Sequence, residues 1–192
     1  MAYASGQLPT SDVDHTYTST GLNHRKLLMW VFLSSDCMFF GALIATYMVY
    51  RGQSLIGPYP IDIIDVPITT ISTFVLLCSS FAMVQALAAT HRNDQKGIQI
   101  WLLATAVMGL IFIGFQAYEF NLFLTEGLRI DTNLFGTTFF TLTGFHGAHV
   151  TLGIVWLLIL FVMGRKGRLG PASALDVELV GLYWHFVDIV WI

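Results

Sequence analysis

Residues 139–164 read FFTLTGFHGAHVTLGIVWLLILFVMG, and this stretch decides how the rest of the chain is interpreted. It is apolar along its whole length and exceeds the about 20 residues that a helix needs to cross a bilayer. It nevertheless holds two histidines, His146 and His149, three positions apart and next to glycines. An account of this protein therefore has to explain why a membrane helix carries imidazole side chains.

The whole chain shares this apolar character. Of its 192 residues, 55% are hydrophobic and only 11% are charged, and the mean hydropathy is +0.69. A soluble domain usually has about 25% charged residues, so a fully hydrated surface is excluded. The net charge of -3 and the lack of a basic run give no indication of nucleic-acid binding. Cys37 and Cys78 lie inside apolar stretches, unlike the paired, loop-borne cysteines of a small secreted protein.

Five apolar stretches predict five transmembrane helices. They are too long for membrane strands, which need about 9–11 residues, so we predict an all-α polytopic bundle. The predicted spans cover about residues 27–50, 66–90, 98–124, 136–164 and 176–192. We assign residues 1–23 to a polar N-terminal tail and residues 24–192 to one membrane domain. The last span ends without a polar exit, and we expect the polypeptide to continue past Ile192.

The basic residues predict the orientation of the chain in the membrane. Seven of the nine Lys and Arg residues fall on one side of the five predicted spans: Arg25, Lys26, Arg92, Lys96, Arg165, Lys166 and Arg168. Only Arg51 and Arg129 fall on the other side. Because cytoplasmic loops carry the excess of Lys and Arg, we predict a cytoplasmic N-terminus and a C-terminus on the outside.

Three carboxyl side chains lie inside predicted spans. Asp36 is in the first span, Glu119 in the third and Asp188 in the fifth. Each would cost about 2.5–3.5 kcal/mol if it were ionised at the centre of the bilayer. Exposure of all three to lipid as unpaired charges is therefore excluded, and we expect them to be protonated, paired or close to an interface.

The spacing of the polar residues places them on helical stripes, since positions three, four and seven apart share a face. The three stripes are Gln116 and Glu119 in the third span, His146, His149 and Gly153 in the fourth, and Glu178, Gly181, His185 and Asp188 in the fifth. We predict that these edges face one another inside the bundle. They would form an interhelical polar seam of Gln116, His146, His149, Glu178, His185 and Asp188.

Three interpretations of the histidines remain open from the residues alone. Two histidines with a nearby carboxylate could bind a metal ion, but neither an HExxH motif nor a repeated Glu-x-x-His pattern is present. Histidine and carboxyl groups in membranes also serve as proton relays. The third interpretation, which we favour, is hydrogen bonding between helices that glycines allow to approach closely.

Four motifs in order along the chain resemble subunit III of the haem-copper terminal oxidases. They are FLSSDCMFF at 32–40, QAYEF at 116–120, GTTFFTLTGFHGAHVTLG at 136–153 and YWHFVDIVWI at 183–192. The resemblance covers nearly the whole chain after the polar tail and is closest to the short, five-span bacterial form. Asp36 stands where the family usually has glutamate. The DC pair is similar to quinol oxidases, whereas TGFHGAHV and YWHFVD are more similar to cytochrome c oxidases.

The resemblance implies a non-catalytic subunit of a proton-pumping oxidase that reduces oxygen to water in a bacterial cytoplasmic (inner) membrane. It implies no haem, copper or other metal in this chain, with haem and copper in partner subunits. It also implies direct packing against subunit I, association with subunit II and other oxidase subunits, and a bound phospholipid. Asp36 and Glu119 are the residues expected to support proton uptake or the lipid cleft.

The expected electron donor is cytochrome c. The alternatives are a quinol oxidase and a related nitric oxide reductase that uses a similar accessory subunit. A stand-alone membrane transporter or metalloenzyme, which would use the same histidines and carboxyl groups, is the alternative from a different class.

Overall fold

The computed structural model describes residues 21–50, residue 53 and residues 66–192, and these residues form a helical bundle. The helices are α1 (His24–Tyr50), α2 (Val66–His91), α3 (Gln95–Thr125), α4 (Leu134–Arg165) and α5 (Ala174–Trp191), with a short 3-10 helix (Pro171–Ser173) before α5. The all-α prediction is confirmed, and each predicted span coincides with a helix to within a few residues at either end. Most of the predicted polar tail lies outside the described residues, so the division into tail and membrane domain stays a prediction.

Four helices, α1 to α4, are long and apolar enough to cross a membrane. The prediction of five spans is therefore confirmed for four helices and not for α5. Helix α5 has only 18 residues, and they include the carboxyl groups of Asp176, Glu178 and Asp188. Ten of the 18 residues are buried, whereas α1 buries two of its 27. Protein contacts, rather than an apolar outer surface, therefore accommodate α5.

Capping side chains fix where two of the long helices begin. Helices α2 and α3 are joined by a three-residue turn in which Asn93 adopts a positive φ of 56°. Asp94 then accepts a hydrogen bond from the backbone N–H of Gly97 at 3.1 Å, which satisfies a free donor at the start of α3. Asn133 caps α4 in the same way through Gly136 N–H at 2.7 Å.

Successive helices run in alternating directions. Helices α2 and α3 form the most extensive hairpin, α4 packs on α3, α5 packs against α2 and α4, and α1 packs mainly against α4 and α5. At one end of the bundle, Gln95 Nε2 donates to the carbonyl oxygen of Leu169 at 2.6 Å. At the other end, Trp191 Nε1 donates to Thr73 Oγ1 at 2.9 Å. We call the end of the bundle that holds Gln95 and Leu169 the basic end. The seven Lys and Arg residues that fall on one side of the predicted spans lie there.

Trp184 of α5 joins three other helices at the centre of the bundle. Its side chain is fully buried, and its indole N–H donates to Ser79 Oγ of α2 at 3.0 Å. A Cβ atom on Gly109 of α3 would stand 2.6 Å from the indole ring, and one on Gly153 of α4 would stand 2.9 Å from it. Both positions are therefore closed to any residue that is larger than glycine.

We expect Gly153→Ala to destabilise the bundle by about 1–3 kcal/mol, because the new methyl group would overlap the Trp184 ring and force the helices apart. The thermal unfolding midpoint of the purified protein in detergent, followed by the circular dichroism of the helices, measures the effect. Gly144→Ala is the matched control, since it lies in the same helix with open space around it. An equal response of both variants would contradict the close contact at Gly153.

Candidate functional site

Asp36 and His149 face each other between the middle of α1 and the middle of α4. The distance from Asp36 Oδ2 to His149 Nε2 is 3.6 Å. The other ring nitrogen of His149 bonds to the carbonyl oxygen of Phe145 at 2.7 Å, and Tyr183 donates its hydroxyl hydrogen to the backbone oxygen of His149 at 3.0 Å. Phe40 packs edge-on against the imidazole ring. Helix α1 therefore supplies the carboxyl group that His149 of α4 faces.

His185 and Asp188 of α5 turn toward α2. Ser80 Oγ and His185 Nδ1 form a hydrogen bond of 2.6 Å. Asp188 is 3% exposed, and neither oxygen of its carboxyl group has a hydrogen-bond partner among the described residues. Ser80 of α2 thus binds a polar side chain of α5.

His146 lies in an aromatic enclosure rather than in a polar one. Its side chain is 2% exposed and stacks on Trp191 with a centroid distance of 4.9 Å, while Phe112 meets it edge-on. Neither ring nitrogen has a hydrogen-bond partner within the described part of the chain. His146 therefore contributes packing between α3, α4 and α5.

Gln116 and Glu119, which form the predicted stripe of α3, contact different helices. Gln116 donates from Nε2 to the carbonyl oxygen of Thr143 in α4 at 2.7 Å. Its Oε1 atom lies against Gly147, where a Cβ atom would be only 2.8 Å away. Glu119 is 7% exposed and accepts a hydrogen bond from Thr69 Oγ1 of α2 at 2.7 Å. The stripe of α3 therefore divides between its two neighbours.

Glu178 lies at the basic end, apart from the other members of the predicted seam. It forms an ion pair with Lys26, and two residues earlier Asp176 forms an ion pair with Arg25 at 2.5 Å. These two pairs tie the start of α5 to the start of α1. The side chains of Lys26 and Glu178 are each about one-third exposed, so the pair is open to water.

The predicted polar residues do form contacts between helices, but they do not meet in one seam. Their contacts join α1 to α4, α2 to α5, α3 to α4, α2 to α3 and α1 to α5. Helical spacing groups the polar residues of each stripe on one face, but it does not specify which neighbouring helix that face contacts. No described group of three or more His, Cys, Asp and Glu side chains is arranged to hold a metal ion.

Residues 10–192 match the family model described as cytochrome c oxidase subunit III. The chain belongs to this family. It is 37% identical over 171 residues to a probable quinol oxidase subunit 3 of Staphylococcus saprophyticus, with 88% of this chain and 85% of the relative covered. It is 35% identical over 170 residues to a cytochrome c oxidase subunit 3 of Alkalihalophilus pseudofirmus, with 88% and 82% covered.

The protein is accordingly a subunit III of a haem-copper respiratory oxidase and a multi-pass membrane protein that associates with other oxidase subunits. Three histidines of this subunit III make contacts within the chain. His149 is engaged by a carbonyl oxygen and faces a carboxyl group, His185 is bonded to Ser80, and His146 is enclosed by aromatic rings. The predicted stripe of these residues is used for contacts between helices of subunit III itself.

Sequence reasoning missed several partners of the predicted residues. Ser80, Tyr183 and Trp184 were not singled out, and the pairing of Arg25 and Lys26 with α5 was not anticipated. The consecutive serines at 79 and 80 in an otherwise apolar span were a usable signal for a polar contact. The partners of Arg25 and Lys26 lie about 150 positions away in sequence, and no local pattern connects them.

We expect Lys26→Glu to destabilise subunit III by up to about 1 kcal/mol, because two carboxylates would then face each other where an exposed pair now stands. The double variant Lys26→Glu/Glu178→Lys should recover the lost stability. Thermal unfolding at low salt measures both, and added salt should reduce the difference. Arg168→Glu makes the same change in charge in an exposed loop and is the control. Failure of the double variant to recover would contradict the pairing.

Proposed function

We propose that this subunit III is a non-catalytic scaffold of a proton-pumping oxidase that reduces oxygen to water. In this role it packs directly against subunit I, stabilises it and supports its proton uptake. Haem and copper belong to partner subunits, and this chain binds none of its own. Asp36 and Glu119 are the residues proposed to support proton uptake or to line a lipid cleft.

The scaffold role is supported by the contacts that the polar side chains make between helices of this chain. In the middle of the bundle, the Asp36, His185, Gln116 and Glu119 side chains face groups on other helices of the same chain. Hydrogen bonds of this kind contribute about 0.6 kcal/mol each in membranes, so several together give a modest but useful stabilisation. A transporter would instead be expected to direct such groups toward a central pathway.

For the arrangement in the membrane, we propose five crossings, a cytoplasmic N-terminus and an external C-terminus in a bacterial cytoplasmic membrane. Helix α5 has about 27 Å of length, close to the about 30 Å of hydrocarbon, and its neighbours bury the Asp188 side chain. Its start is tied to the start of α1 at the basic end, which fits the cytoplasmic side.

For the partners, we propose that α1 faces subunit I or lipid along most of its length. Only Met29 and Phe40 of α1 are buried within the chain, and Met38 is 78% exposed. The outer faces of the other long helices are apolar as well, which fits contact with phospholipid chains and with further subunits, including subunit II.

For the electron donor, we propose cytochrome c, in keeping with the TGFHGAHV and YWHFVD motifs. Quinol is the second candidate, and a specific observation favours it. A probable quinol oxidase subunit 3 is among the similar proteins, at 37% identity, and the DC pair of Asp36 and Cys37 resembles that group.

We expect purification of this chain in mild detergent to recover a coloured complex that contains haem in larger subunits. The complex should oxidise reduced cytochrome c with oxygen uptake, and its visible spectrum should show an a-type haem band. Oxidation of quinol alone, with an o-type band, would move the assignment to the second candidate. A colourless protein that turns over by itself would contradict the proposed role.

We expect Asp36→Ala to leave the haem spectrum of the complex unchanged, because the haem belongs to partner subunits in this role. The effect should be slower proton uptake or a shorter active lifetime during turnover, measured with a pH-sensitive dye in a stopped-flow instrument. Ser35→Ala, an exposed neighbour in the same helix, is the control. Loss of haem in Asp36→Ala would count against this assignment.

A further inference from the structure

The surface between α3 and α4 holds a groove of about 210 Å³ that is lined largely by small residues. Its lining includes Gln116 and Ala117 of α3 and Gly144, Gly147, Ala148 and Thr151 of α4. On α4 these residues form two pairs that are four positions apart, Gly144 with Ala148 and Gly147 with Thr151, so they share one face. Small residues at this spacing are typical of membrane helices that contact each other, because they let the backbones approach closely.

Contacts within the chain account for one of the two glycines and not for the other. A Cβ atom on Gly147 would stand 2.8 Å from Gln116 Oε1, so α3 already uses the space that this glycine leaves. A Cβ atom on Gly144 would have no atom of the described residues within 4 Å. Gly144 and its neighbour in the groove, Ala148, are both exposed. The small size of this part of the face therefore serves no packing inside subunit III itself.

Gln116 gives a second and independent indication, which comes from hydrogen bonding. Its side chain is only 6% exposed, and its Nε2 atom donates to the carbonyl oxygen of Thr143. Its Oε1 atom accepts no hydrogen bond from any residue that the structure describes. A buried carbonyl oxygen without a donor is costly, so nearly all such atoms in proteins are paired. The groove therefore contains an acceptor that calls for a donor.

The depth of the groove limits what can supply that donor. Gln116 lies 21 residues after Gln95 and nine before Thr125, which places it roughly 14 Å from the nearer end of α3. Helix α3 is about 46 Å long and exceeds the about 30 Å of hydrocarbon, so this position falls within the hydrocarbon layer. Acyl chains carry no hydrogen-bond donor and water is scarce at this depth. A polar side chain on another membrane helix is the donor that fits.

We infer that the groove between α3 and α4 is the docking site for one transmembrane helix of another oxidase subunit, and that this helix donates a hydrogen bond to Gln116 Oε1. The donor is a hydroxyl or amide side chain that stands beside Gly147. A small rotation of the Gln116 carboxamide turns Oε1 from the Gly147 backbone toward it. The inference rests on the proposed function for the existence of such a partner, and it names the surface and the chemistry of the contact.

Gly144→Leu tests the site, because the larger side chain fills the groove without meeting another part of subunit III. The amount of tagged subunit III in the membrane should stay unchanged, whereas one other membrane subunit of the oxidase should be recovered with it about tenfold less well after a detergent wash. Quantitative mass spectrometry of the purified complex measures both. Unchanged recovery of every other subunit would overturn the inference.

Gly114→Leu is the matched control. Gly114 is likewise surrounded by open space among the described residues, but it lines a separate groove between α2 and α3. This variant should retain the full set of subunits. An equal loss in both variants would also overturn the inference, because the effect would then not depend on the groove between α3 and α4.

A photoreactive amino acid at Leu152 of the assembled oxidase identifies the occupant. Leu152 is exposed on α4, one turn after Ala148, and so stands beside the groove rather than in it. Illumination should attach it to a transmembrane peptide of another oxidase subunit. The same amino acid at Ile111, exposed beside the other groove, shows the yield of lipid adducts at this depth. Adducts of position 152 with phospholipid alone would overturn the inference in favour of an acyl chain.

Infrared spectroscopy with ¹³C-labelled glutamine tests the hydrogen bond. The band of the Gln116 carbonyl group, identified by its loss in Gln116→Leu, should lie at lower frequency in the wild-type oxidase than in Gly144→Leu. An identical frequency in the two proteins would contradict the bond to a partner.

The same preparations separate this inference from the proposed function. If Gly144→Leu assembles as the wild type does, the docking site is wrong and the scaffold role stands. If the wild-type chain itself purifies without haem-containing subunits, the proposed function fails.

Discussion

The packing of the bundle depends on the contact of Trp184 with the three helices around it, α2, α3 and α4. Helices in lipid gain little from hydrophobic burial, so they associate through close packing and hydrogen bonds. The indole group provides both, because its faces and edge fill the space left by Gly109 and Gly153 while its N–H bonds to Ser79. The position of α5, and with it of His185 and Asp188, follows from where this ring can fit.

The polar side chains then add pairwise contacts around that centre. The pairs are distributed over five combinations of helices rather than gathered at one point. This distribution differs from a ligand site, where polar groups converge on one point. It suits the scaffold role proposed for this subunit III.

The sequence predicted the helices well because the signal for them is local. Each apolar run is read within one segment, and the helix ends fell within a few residues of the prediction. The polar edges were also found, since helical spacing determines which residues share a face. Which neighbouring helix each polar edge contacts was not predicted. Asp36 meets His149 because of the way whole helices rotate and pack, and no single segment of the sequence determines that packing. Helix α5 departed from the span pattern because most of its side chains are buried against other helices. A helix buried in this way does not need an apolar outer surface.

The sparse packing of α1 has a consequence for biosynthesis. Its contacts are mainly with α4 and α5, which the ribosome makes last, and its ion-pair partners Asp176 and Glu178 lie near the end of the chain. For most of translation, the first helix to leave the insertion machinery therefore has no intramolecular partner for Asp36. That carboxyl group meets its facing histidine only after the fourth helix has been inserted.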